Sequence, residues 1–77
     1  MENMVFEKIK AIICEQFELN ADKVTEDSNL IGDLGLDSLD VIDLAMSVED
    51  EFDIEVPDDA IDGIKTVGDF VRFVEEH

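Results

Sequence analysis

Asp37-Ser38-Leu39-Asp40-Val41-Ile42-Asp43-Leu44-Ala45-Met46-Ser47-Val48-Glu49-Asp50-Glu51-Phe52 is a helix with two apolar faces. Advancing about 100° per residue gathers Val41, Leu44, Ala45, Val48 and Phe52 on one side. Leu39, Ile42 and Met46 form a second apolar stripe facing roughly the opposite way. Asp40, Asp43, Ser47, Asp50 and Glu51 fill the arc beside that stripe, and Glu49 flanks it across the helix. Asp37 is placed to cap the helix, with Asp40 in its first turn. One apolar face is enough to hold a surface helix in a bundle. Two readings of the second face remain: the neighbouring loop or third helix covers it, or it is an exposed docking face rimmed by carboxylates.

Working outward, residues 3–17 carry Val5, Phe6, Ile9, Ile12, Ile13 and Phe17 at helical spacing, with Asn3 as the N-cap. Cys14 lies among these apolar residues, which favours a small buried thiol over a redox role. Residues 19–36 lose the period and are rich in turn and cap formers, with Val24, Leu30, Ile31, Leu34 and Leu36 to pin the segment down. A loop of this length is often functional, and a short helical turn after Thr25 is one option within it. Pro57 breaks the pattern and allows a short helix from Asp58 to about Ile61 before Gly63. Thr66 then opens a last helix with Asp69 at the capping-box position, and Val67, Phe70, Val71 and Val74 form its buried stripe, with Phe73 at the margin. Residues 52–56 are the only stretch that reads even weakly as a strand. The expectation is an all-α fold, a small four-helix bundle of three main helices plus one short helix, with a long first loop. Residues 1–77 make one domain on this reading.

The chain of 77 residues carries 22 acidic and 5 basic side chains, a formal charge of −17, and no Lys or Arg lies between Lys23 and Lys65. Disorder is the bland reading of such acidity, and the periodic apolar positions argue against it. Nucleic acid needs clustered bases and anionic membranes repel acids, so neither is an expected partner. Basic protein surfaces are, drawn in by long-range attraction. Mutual repulsion favours a monomer. Met1-Glu2-Asn3 lacks the basic start and apolar run of a signal peptide, and no segment approaches membrane-spanning length, so a cytoplasmic location is expected.

Catalysis by the chain itself is not expected. Its only histidine, His77, is the last residue, the Gly-x-Ser-x-Gly elbow is absent, and nothing near Ser38 would activate it as a nucleophile. Zinc-ligand spacing is missing, and neither residues 33–43 nor 53–63 fit the EF-hand pattern, so no dedicated metal site is expected. Most of the acids read as a solvated face, with weak divalent binding as the alternative.

A serine beside a glycine-containing loop, flanked by carboxylates, suits modification by another enzyme. Asp33-Leu34-Gly35-Leu36-Asp37-Ser38-Leu39-Asp40 closely resembles the phosphopantetheine attachment motif of acyl carrier proteins. The likeness continues through residues 48–58, which end on Pro57-Asp58, and through Lys65-Thr66-Val67-Gly68-Asp69. It covers essentially the whole chain and is nearest to discrete, bacterial-type carriers of fatty-acid synthesis.

The resemblance implies a right-handed four-helix carrier domain in which Ser38 receives 4′-phosphopantetheine from coenzyme A. A separate phosphopantetheinyl transferase (holo-acyl carrier protein synthase) performs that step, supplying base and metal. The arm's thiol then holds acyl chains as thioesters and shuttles them between fatty-acid synthesis enzymes. By the same resemblance the second helix meets basic docking patches through Asp37, Leu39, Asp40, Ile42, Asp43, Met46, Glu49 and Asp50. Val41, Leu44, Ala45 and Ile64 become candidate walls for a sheltered acyl chain. Leu36 departs from the family, standing where a smaller residue is common. A specialised, polyketide-type carrier stays open as an alternative, as does an acidic interaction or divalent-binding module with no prosthetic group.

Overall fold

The computed structural model describes residues 4–76, which form four α-helices joined by loops. Helix α1 spans Met4–Phe17, α2 Ser38–Phe52, α3 Asp58–Gly63 and α4 Val67–Glu75. The Asn3 cap and His77 lie outside the described residues. Among those residues there is no strand, only an isolated antiparallel bridge between Asn29 and Thr66. Residues 52–56 are not extended pairing partners, because Asp53 takes a left-handed backbone with φ 55° and ends α2.

Helix α1 packs against α4 and α2, as its apolar stripe requires. Ile9 and Ile13 are buried there, while Val5, Phe6, Ile12 and Phe17 pack more loosely around them. Cys14 is only partly buried. It sits one position off the stripe's centre, so the expected full burial does not occur. The centre of the core is closed by Val41, Leu44, Ala45 and Val48 from α2 and by Val67, Phe70, Val71 and Val74 from α4.

The long first loop is held by hydrogen bonds as much as by apolar contacts. Its short helical turn falls at Ala21–Lys23 rather than after Thr25, where a single turn closes from the Ser28 N–H to the Thr25 carbonyl. Ser28 is buried and satisfied: its hydroxyl donates to the Lys23 carbonyl and accepts the Thr25 N–H, both at 2.9 Å. The loop then clasps the start of α4. Carbonyls of Ser28 and Glu26 accept the Val67 and Gly68 N–H groups at 3.1 and 2.8 Å, and the Leu30 N–H donates to the Lys65 carbonyl at 2.9 Å. These bonds satisfy donors that a helix start would otherwise leave unpaired. Gly68 is required by the clasp, since a Cβ there would stand 2.9 Å from the Glu26 carbonyl oxygen.

Helix α4 carries the capping box expected of Thr66 and Asp69: the Asp69 N–H donates to Thr66 Oγ1 and Asp69 Oδ2 accepts the Thr66 N–H. Asp69 Oδ2 also accepts the Lys65 N–H at 3.0 Å. That bond is the main reason its carboxyl titrates below the ordinary aspartate value; partial burial opposes it, and the Thr66 bonds and Arg72 charge reinforce it. A lowered carboxyl pKa stabilises the fold above the unfolded value, about 4, and the contribution is lost as pH falls through the lowered value. Asp69→Ala is therefore expected to cost about 1 kcal/mol at neutral pH, a loss of roughly 5 °C in Tm. The gap to the parent should narrow in thermal unfolding below about pH 3. An equal gap at both pH values would mean that the carboxylate's ionisation contributes nothing.

Candidate functional site

The loop delivers Ser38. Asn29 organises the turn before it: Oδ1 accepts the Ile31 and Gly32 N–H groups at 3.2 and 3.0 Å, and its carbonyl accepts those of Asp33 and Leu34. The Asn29 N–H in turn donates to Asp33 Oδ2 at 2.7 Å. Leu34 and Leu36 are buried in the core on either side of Gly35, whose φ of +75° suits a residue with no side chain. Leu36, larger than its family counterpart is expected to be, thus serves as an anchor. The chain then enters α2 with Asp37 as N-cap. Asp37 Oδ1 accepts the Asp40 N–H at 2.9 Å, and Asp40 Oδ2 accepts the Asp37 N–H at 3.3 Å. This reciprocal cap fixes the first turn, and Ser38 stands in it as the first helical residue, exposed to solvent.

Ser38 lines a cleft of about 340 Å3 that runs between the loop, α2 and α3. Its apolar lining comes from Leu30 and Ile31 of the loop, Val41 and Ile42 of α2, and Ile61 and Ile64 at the α3 side. Of the four wall candidates, Val41 and Ile64 line this cleft. Leu44 and Ala45 are not among its lining residues; they are 0% and 1% exposed and belong to the closed core below. Leu30, Ile31 and Ile61 were not legible as cleft residues from sequence, because only the fold of the loop and of α3 brings them beside Ser38.

The second face of α2 is uncovered. Leu39, Ile42 and Met46 are 71%, 41% and 59% exposed, so neither loop nor third helix lies over them. Asp43 and Asp50 are exposed beside them. The other acids are partly committed elsewhere. Asp37 and Asp40 form the cap, Glu51 reaches across to Lys8 of α1 at 3.6 Å, and Glu49 is half-buried. No group of three or more potential metal-ligating side chains occurs among the described residues. No described helix is long and apolar enough to cross a membrane.

A family model described as the phosphopantetheine attachment site matches residues 7–74. An acyl carrier protein of Sulfurovum sp. (strain NBC37-1) is 48% identical over 71 residues, 92% of this chain and 95% of that protein. The chain belongs to the acyl carrier protein family. An acyl carrier protein of Clostridium perfringens (strain SM101 / Type A) is 45% identical over 73 residues, 95% of this chain and 96% of that protein. The mostly helical architecture agrees with the carrier fold expected from the sequence.

The residues present fit the family's prosthetic group, 4′-phosphopantetheine. An exposed primary hydroxyl on a capped helix end can be reached by a large transferring enzyme. The apolar cleft beside it is a chemically suitable neighbour for whatever hydrocarbon the arm carries.

Proposed function

We propose that this chain carries acyl intermediates of fatty-acid synthesis on a phosphopantetheine arm joined to Ser38. The observation that carries the reading is the exposure of Ser38 at the start of α2, at the mouth of an apolar cleft, within the motif of the matched family. In the attachment step Ser38 Oγ forms a phosphodiester bond to the phosphopantetheinyl phosphorus of coenzyme A. The adenosine bisphosphate leaves, and the hydroxyl proton passes to a base on the transferase. The chain needs no base of its own. Once attached, the arm supplies a thiol for acyl thioesters, and the chemistry on those thioesters belongs to the partner enzymes.

Cleft and outer face of α2 then divide the work. The cleft shelters the acyl chain between Leu30, Ile31, Val41, Ile42, Ile61 and Ile64. The face made by Leu39, Ile42 and Met46, with Asp37, Asp40, Asp43, Glu49 and Asp50 around it, docks enzymes that present basic patches. Supporting this are the exposure of the three apolar side chains and the absence of any base between Lys23 and Lys65.

Intact mass before and after incubation with coenzyme A, magnesium and a broad-specificity phosphopantetheinyl transferase tests the carrier role, with a gain of one phosphopantetheine expected. Docking is tested by charge reversal at a position free of the helix cap. Asp43→Lys is expected to slow loading about three- to tenfold at low salt, mainly through the association rate, with the effect shrinking as salt rises. Asp37→Lys and Asp40→Lys are poorer probes because each also breaks the capping box. Unchanged stopped-flow association for Asp43→Lys and for Asp50→Lys would remove α2 as the docking face.

A further inference from the structure

The connection from α2 to α3 hangs on Glu49. Its main-chain carbonyl accepts the N–H groups of Asp53 and Ile54, and its side-chain Oε2 accepts the N–H of buried Val56 at 2.7 Å. Asp53, in its left-handed conformation, turns the chain back so that this side-chain bond can form. Pro57 comes next, and its carbonyl accepts the Ala60 and Ile61 N–H groups that open α3. No residue of α3 is buried, so core packing holds it weakly and its placement depends on the segments at its ends. The α3 side supplies Ile61, Asp62, Ile64 and Lys65 to the cleft.

We propose that Glu49 is the positioning residue of the cleft: its carboxylate, by holding Val56, sets where α3 stands and so how well the cleft closes over an acyl chain. This rests on the reading of the cleft as the acyl shelter. A hydrogen bond from a main-chain N–H to a carboxylate is among the stronger ones, and losing it leaves a buried donor unpaired. Glu49 therefore acts through α3 as an acceptor, separately from any attraction its charge exerts on partners.

Glu49→Gln and Glu49→Ala separate these two roles, because Gln keeps an acceptor oxygen at similar reach while discarding the charge. Three readouts are needed: intact mass after transferase loading, amide hydrogen exchange at Val56 and across the core in the unloaded protein, and the hydroxylamine cleavage rate of an octanoyl thioester on the arm. Glu49→Ala is expected to speed Val56 exchange about tenfold or more while the amides of Ile13 and Val71 hold, and to hasten thioester cleavage severalfold. Glu49→Gln should stay within about threefold of the parent in both. Parent-like rates in Glu49→Ala, equal acceleration at every amide, or Glu49→Gln behaving as Glu49→Ala would each overturn the proposal. Failure of the parent to load would overturn the carrier reading itself, a result visible in the mass alone.

Discussion

Ser38→Ala is expected to gain no mass on incubation with coenzyme A, magnesium and transferase, while the parent gains one phosphopantetheine. The loss should be complete rather than graded, because the substitution removes the one atom to which the arm is joined. The fold should survive. Ser38 is exposed, its helix is capped by Asp37 and Asp40, and alanine is a good helix former. The chain has two other serines, and neither is a plausible substitute: Ser28 is buried with its hydroxyl bonded to Lys23, and Ser47 donates to Gln16 and Asp43. Circular dichroism of the variant should therefore match the parent. A modified Ser38→Ala protein would place the arm elsewhere and end the assignment. A parent that stays unmodified in a folded state without a pre-existing arm would end the carrier reading and bring forward a docking module without cargo.

Phe70→Ala should bring the molecule to the edge of unfolding. Phe70 is 0% exposed and is the largest of the fully buried side chains. Truncating such a residue costs about 3–5 kcal/mol. At ~0.05–0.15 kcal/mol per residue, a chain of this length has about 4–12 kcal/mol in total. Self-repulsion from a charge of −17 pushes that total toward the lower end at low salt. Thermal unfolding should show Tm lowered by more than about 12 °C in Phe70→Ala, with partial recovery on adding salt. Phe73 sits at the margin of the same helix, half-buried, and Phe73→Ala should cost far less. Similar losses in the two variants would mean that α4 does not present the apolar face described here.

These two residues differ in how they became legible. The burial of Phe70 follows from the spacing of Val67, Phe70, Val71 and Val74, since a helical period is a property of neighbouring residues. The same holds for the capping boxes, Asp37 with Asp40 and Thr66 with Asp69, each closed within a single turn. Ser38 was legible because the motif around it is contiguous. The second apolar face of α2 was legible as a pattern too. Whether something covered it was not, because that depends on where the loop and α3 come to rest.

What the sequence by itself determined, then, is everything whose partners lie within a turn or two along the chain: the four helices, their caps, their buried faces and the candidate attachment serine. Only the tertiary structure decided the rest. It moved the short helical turn to Ala21–Lys23, clasped Glu26 and Ser28 onto Val67 and Gly68, and gathered Leu30, Ile31, Ile42, Ile61 and Ile64 around Ser38. It withdrew Leu44 and Ala45 from the cleft and committed the Glu49 carboxylate to Val56. The physical reason is the range of the interactions: helical period and capping are set between residues three or four apart, whereas a clasp or a cleft joins residues distant in sequence and exists only once the helices have packed.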